Sequence, residues 1–215
     1  MELAASGSQA GPMRLSALLA LVLWQASASG FAQTLVIDLY DYADLPAKEI
    51  DRLTETVDLV FEHSGIQMIW QNCRGALAVG SPCDAELQVS EIVVRILPGG
   101  PRSSDEFRTL HLGSSIVAAD AGKYASVFVP PVRAQAAGFG VSFNLLLAYA
   151  VAHEVGHCLL GPGHSYAGLM RSDWNRKDAG EISRLSLHLT KKEARKASAR
   201  LSSAVFADCG SRKLR

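Results

Sequence analysis

The sequence has no excess charge of either sign. Lys and Arg number 21, Asp and Glu also number 21, and the formal net charge is zero. This balance argues against a nucleic-acid-binding protein, because such proteins attract phosphates with an excess of basic residues. Internal repeats and low-complexity segments are missing as well. Of the 215 residues, 48% are hydrophobic, which suffices for the core of one domain.

Long hydrophobic runs are also missing, apart from one near the N-terminus. Arg14 precedes the short apolar run 15–24, and small residues follow at 26–30. This order is typical of a secretory signal peptide, and the run is too short to span a bilayer. We therefore predict that residues 1–32 are a signal peptide, with Met13 as a second candidate start. The mature protein is expected to be secreted or periplasmic, without stable membrane insertion.

Four cysteines acquire meaning if the protein is secreted, because oxidising compartments allow disulfides to form. Cys73 and Cys83 bracket a short loop containing glycine and proline, and we predict that they pair. Cys158 and Cys209 would then form the second disulfide. The alternatives for Cys158 are a free, buried thiol or a soft metal ligand in place of His164.

The hydrophobic pattern predicts an alternation of strands and helices. Strands are predicted at 34–38, 66–70, 87–97, 115–119 and 124–129. Helices are predicted at 47–63, 141–160 and 189–206. The first helix follows from helical spacing of Ile50, Leu53, Val57, Val60 and Phe61. The last helix begins after Thr190, a residue type favoured at helix N-caps.

The segment around His153, Glu154 and His157 has the spacing of a metal site. Two histidines four residues apart lie on one face of a helix, where both can reach one metal ion. Glu154 lies beside any water on that ion. Two such histidines with an adjacent glutamate are typical of zinc peptidases, where the glutamate is the general base.

A catalytic zinc site needs a third protein ligand. Pro162 cannot continue a helix, and Gly161 and Gly163 on either side of it allow a sharp turn. The helix is therefore expected to end there and to return His164 to the same ion. A zinc peptidase with an acidic third ligand, Asp178 or Glu181, is the alternative.

This pattern of residues resembles the metzincin zinc peptidases, although the glycine and the third histidine each come one residue late. By that resemblance His153, His157 and His164 would be ligands of one Zn²⁺, Glu154 the general base and Met170 the Met-turn residue beneath the metal. The resemblance implies an α+β fold for residues 33–215: a single metzincin-like domain. It would have a mixed twisted sheet, a long first helix, a zinc-binding active-site helix and a C-terminal helix.

The function implied is that of a secreted, zinc-dependent endopeptidase acting on peptides or proteins. Glu154 would activate a metal-bound water to hydrolyse the peptide bond. An extended substrate is expected beside an edge strand at 124–129. We predict a monomer. The alternative from another class is a secreted binding or structural module that holds zinc without catalysis.

Overall fold

A five-stranded sheet and five helices form the frame of the part of the protein that the structure describes. The computed structural model describes residues 33–73, 81–88, 90–100, 111–117 and 122–211, without the side chains of Pro82, Gly122 and 204–211. The strands are β1 (Gln33–Asp41), β2 (Ile66–Asn72), β3 (Glu91–Leu97), β4 (Gly113–Val117) and β5 (Gly122–Phe128). The helices are α1 (Ala47–Glu62), α2 (Val129–Phe139), α3 (Phe143–Leu160), α4 (Arg176–Ser183) and α5 (Lys191–Ser211). A 3₁₀ turn spans Pro82–Asp84.

The sheet is mixed, with the strand order β2-β1-β3-β5-β4. The four neighbouring strands β2, β1, β3 and β5 run parallel to one another. Strand β4 pairs antiparallel with β5. The predicted mixed α+β architecture is confirmed. The prediction that 124–129 is an edge strand is wrong, because β5 lies between β3 and β4. Among the described strands, the short strand β4 lies at this edge of the sheet and pairs only with β5.

Helix α1 has the predicted position and buried face. The five apolar residues that defined its spacing are all buried. The helix ends before Gly65, whose φ of 67° lies in the left-handed region that glycine adopts without steric cost. The chain then enters β2, which pairs with β1 from Gln33 opposite Ile66.

Helix α3 is the buried centre of the molecule. It contacts α1, α2, β4 and β5, and the residues from Leu146 to Ala152 are all buried. By length and composition alone α3 could also cross a membrane, and it is the one helix among the described residues that could. Most of it is buried inside the protein, and this burial accounts for its apolar composition.

Two helices were not predicted from the sequence. In α2, Pro130 and Pro131 occupy the first turn, where a missing N–H costs nothing, so they start a helix as well as ending β5. Helix α4 is short and polar. It is held at its start by a capping box in which Asn175 and Asp178 each accept a backbone N–H of the other.

The cysteines divide into one disulfide and one buried thiol. Cys73 and Cys83 form the predicted disulfide. Cys158 is a free thiol, so its predicted pairing with Cys209 is wrong. Cys158 lies on α3 with 2% of its surface exposed, and burial raises its pKa to about 12, which leaves it an inert core residue. The side chain of Cys209 and the predicted signal peptide, residues 1–32, lie outside the described part of the chain.

Candidate metal centre

Three imidazoles converge at the C-terminal half of α3. The Nε2 atoms of His153 and His157 lie 3.1 Å apart, and their ligand atoms and that of His164 all lie within 4.8 Å of one another. A zinc ion about 2.0–2.1 Å from tetrahedral nitrogen ligands places those nitrogens roughly 3.3 Å apart. The helical pair, His153 and His157, matches this spacing. A small movement of His164 would bring its ring nitrogen to the same spacing from the other two.

The tautomers of the helical pair favour a cation between them. Nδ1 of His153 donates to the carbonyl of Leu169 over 2.8 Å, and Nδ1 of His157 lies 3.4 Å from the carbonyl of Gly161. With the proton on Nδ1, each Nε2 carries a lone pair. Two lone pairs then face each other across 3.1 Å, which is unfavourable unless a cation accepts both. The Leu169 carbonyl also orients the ring, as carbonyls do behind metal-bound histidines.

The protein environment holds these histidines in the neutral form that binds metals. Burial lowers the pKa of His153 to about 4, opposed by the hydrogen bond to Leu169 and assisted by the neighbouring His157 and His164. Burial also lowers the pKa of His157. Both rings are therefore uncharged at neutral pH, and a metal ion would not have to displace a proton from Nε2.

The loop after α3 brings His164 to the helical pair. Gly161 and Gly163 have φ values of 91° and 107°, a region that side-chain-bearing residues rarely adopt. His164 is the most exposed of the three histidines. The acidic alternatives are not part of this cluster. Asp178 caps α4 and lies 3.6 Å from Arg171.

Glu154 is buried beside the histidines, with 7% of its surface exposed. Burial raises its pKa to about 7, and hydrogen bonding with the Ser115 hydroxyl opposes that rise. The side chain packs closely against β4: a Cβ added at Gly113 would lie 2.6 Å from Cγ of Glu154. Sequence reasoning found Glu154 but missed Ser115 and Gly113, which come from a strand about 40 residues earlier.

Met170 and Trp174 pack against helix α3 near the histidines. Met170 is 2% exposed, and its sulfur would lie 2.3 Å from a Cβ at position 156, so Gly156 is required for this approach. The ring of Trp174 meets that of His153 edge-on, with centroids 5.6 Å apart. Trp174 is buried and also lines the cleft.

The histidines and Glu154 lie at the floor of a cleft of about 1120 Å³. One wall is the start of β4 at 113–115, another is α2 at 134–139, and a third is the segment 171–174. The histidine cluster and Glu154 therefore border a large cleft.

Comparison with known proteins identifies the fold. No family model matches the sequence, and no curated protein matches it. The crystal structure of an archaemetzincin from Methanopyrus kandleri is similar, with a TM-score of 0.51 and 12% sequence identity. The match covers 82% of this chain and 99% of the other. The chain has an archaemetzincin-like fold. At this identity, the likeness concerns the fold and not the chemistry.

Proposed function

We propose that this protein is a zinc-dependent endopeptidase that is exported from the cytoplasm. One observation carries the proposal: three imidazoles converge at the floor of a cleft, with the buried carboxylate of Glu154 beside them. We assign His153, His157 and His164 as the zinc ligands. Met170 beneath α3 would be the Met-turn residue. The fold shared with an archaemetzincin supports this assignment.

The residues of the site suit hydrolysis of a peptide bond. A bound zinc ion would acidify a water molecule and polarise the scissile carbonyl. Glu154 would accept the proton from the attacking water and pass it to the leaving amine. Its pKa, raised by burial to about 7, suits this exchange because a general base works best near the operating pH.

The peptide substrate would lie along β4. This strand is the edge of the described sheet on the side of the cleft, so its outer backbone groups can pair with an extended chain. Its first residues, 113–115, also line the cleft next to Glu154. Pairing with β4 would therefore carry a substrate past the general base.

Export is supported by two independent features of the chain. Residues 1–32 have the composition of a signal peptide. The disulfide between Cys73 and Cys83 fits an oxidising compartment. We propose a monomer of residues 33–215 after signal cleavage.

The decisive experiment combines metal analysis with a cleavage assay on casein and a peptide library. The wild-type protein is expected to carry one zinc ion and to cleave peptides. Glu154→Gln is expected to retain the zinc and to lose about 10²- to 10⁴-fold in rate, the usual contribution of a general base. Glu181→Gln, on α4, is the matched control and should leave both properties unchanged.

Three outcomes would contradict the proposal. If wild-type protein retains one zinc ion but cleaves no peptide, the zinc serves a binding or structural module. If Glu154→Gln is as active as the wild type, the carboxylate is not the base. His164→Ala should weaken zinc binding, and Glu181→Ala should not; the reverse result would mean an acidic third ligand.

A further inference from the structure

The loop that carries His164 needs an external support. Gly161 and Gly163 give it two positions of high backbone freedom, and His164 is exposed. A ligand on such a loop would lose conformational entropy on binding a metal, and that loss weakens the site. His153 and His157, in contrast, are fixed by the packed helix α3.

Helix α5 holds the start of this loop. Nζ of Lys196 donates to the carbonyl of Leu160 over 2.6 Å, and the guanidinium of Arg200 donates to the carbonyl of Leu159 over 3.0 Å. These carbonyls belong to the last turn of α3, where backbone acceptors have no partner within the helix. Two cations at the negative end of α3 also suit its dipole.

The same helix holds the end of the loop through Glu193. The hydroxyl of Ser165, the residue next to His164, donates to Oε1 of Glu193. The backbone N–H of Ser165 donates to the carbonyl of Met170 over 2.8 Å. The side-chain and backbone groups of Ser165 are therefore both tied down.

Glu193 is itself held in place by the start of α5. Its Oε2 accepts from the backbone N–H and from the hydroxyl of Thr190, each over 2.8 Å. The Thr190 hydroxyl accepts in turn from the N–H of Glu193 over 3.3 Å. This is a capping box, confirming Thr190 as the predicted cap. One carboxylate oxygen thus caps α5 while the other holds the loop.

We propose that Glu193 is a positioning residue: through Ser165 it fixes the loop that presents His164, and so sets the affinity of the site for zinc. This role rests on the proposed function, because it assumes that His164 binds the ion. Partners behind metal ligands typically change metal affinity by about 10- to 100-fold. An effect of this size is expected here, without contact between Glu193 and the ion.

The test distinguishes the contacts made by the two carboxylate oxygens of Glu193, Oε1 with Ser165 and Oε2 with Thr190. Ser165→Ala removes only the contact with the loop, and Thr190→Val removes only the hydroxyl of the cap. Zinc affinity, measured by competition with a chelator, should fall about 10- to 100-fold in Ser165→Ala with little change in melting temperature of the metal-free protein. Thr190→Val should lower that melting temperature and leave zinc affinity within about twofold, since the backbone N–H of Thr190 still donates to Oε2 of Glu193 and Ser165 still donates to Oε1.

Conservative replacement gives a second criterion. Glu193→Ala removes both contacts, whereas Glu193→Gln keeps an oxygen that can accept from Ser165. Glu193→Gln should therefore recover most of the affinity that Glu193→Ala loses. A charge effect alone would make these two variants equally weak and would overturn the role through Ser165.

The outcomes distinguish this proposal from the proposed function. Unchanged zinc affinity in Ser165→Ala, or an equal loss in Thr190→Val, would overturn the positioning role while leaving zinc binding intact. Zinc binding without peptide cleavage would overturn the peptidase function but leave the positioning role standing. A wild-type protein that binds no zinc would overturn both.

Discussion

The contact between Gly156 and Met170 allows a direct test of how helix α3, which carries His153 and His157, is packed. A Cβ at position 156 would lie 2.3 Å from the sulfur of Met170 and 3.3 Å from its Cε. Favourable contacts begin at about 3.5–4.0 Å, so Gly156→Ala requires Met170 to move by roughly 1.2 Å or more. Met170 is 2% exposed, so such a movement would push it against the closely packed residues around it.

Two opposing terms set the size of the effect. Overpacking of this kind costs about 1–3 kcal/mol, whereas replacing glycine by alanine inside a helix gains about 1 kcal/mol. We expect Gly156→Ala to lower the free energy of unfolding by about 1 kcal/mol. The displacement would also reach the carbonyl of Leu169, the neighbour of Met170, which orients His153. Zinc affinity should therefore fall by about tenfold or more.

The matched control is Gly138→Ala. Gly138 lies in α2 with nothing within 4 Å of an added Cβ, so the same substitution should raise the free energy of unfolding by about 0.5–1 kcal/mol. Met170→Ala alone should cost about 2–5 kcal/mol because it leaves a cavity. In the double variant the new methyl group occupies part of that space.

A double-mutant cycle measures this coupling. Urea unfolding of the four proteins, each without metal, should show a favourable coupling of at least about 0.5–1 kcal/mol between Gly156→Ala and Met170→Ala. In a zinc competition assay, Met170→Ala should not show the loss of zinc affinity expected of Gly156→Ala, because it introduces no steric contact at position 156. If the two changes are additive within about 0.3–0.5 kcal/mol, the close approach of Met170 to α3 is not what constrains position 156.

Two further predictions concern the edge strand and the buried carboxyl of β1. Gly113→Ala would place a Cβ 2.6 Å from Cγ of Glu154, so cleavage should fall at least tenfold with zinc affinity unchanged; full activity would contradict the close packing of β4. Burial, assisted by the charge of Glu91, raises the pKa of Asp38 to about 6. The folded protein therefore binds this proton more tightly than the unfolded chain does. As the pH rises from about 4 to about 6, the free energy of unfolding should fall by up to roughly 3 kcal/mol. Asp38→Asn should flatten that slope in urea unfolding, and an unchanged slope would rule out Asp38 as its source.

The local parts of the fold could be predicted because their patterns are short-range. Helix α1 follows from five apolar residues at helical spacing, and α5 from Thr190 and the residues after it. Strand order could not be predicted, because it depends on which segments pair across long separations. The interpretation of 124–129 as an edge strand failed for this reason. Helix α2 was missed because Pro130 and Pro131 end a strand and begin a helix equally well.

The candidate site shows the same division between short and long range. His153, Glu154 and His157 are neighbours in sequence, so helical geometry alone predicts that they share a site. Their supporting groups come from distant segments: Ser115 from β4 and Glu193 from α5. No spacing rule links those residues to the motif. The motif could therefore be found from the sequence, but the groups that tune and hold it could not.

Burial of α3 connects the fold to the proposed chemistry. Loss of water disfavours every charged form, so it lowers the pKa of His153 and raises that of Glu154. Both shifts make the site less charged: the imidazoles become ready to bind a cation, and the carboxyl becomes able to hold a proton near neutral pH. An exposed helix with the same motif would present a charged glutamate and partly protonated histidines. The apolar residues that bury α3 thus contribute to the site as directly as the residues that would touch the metal.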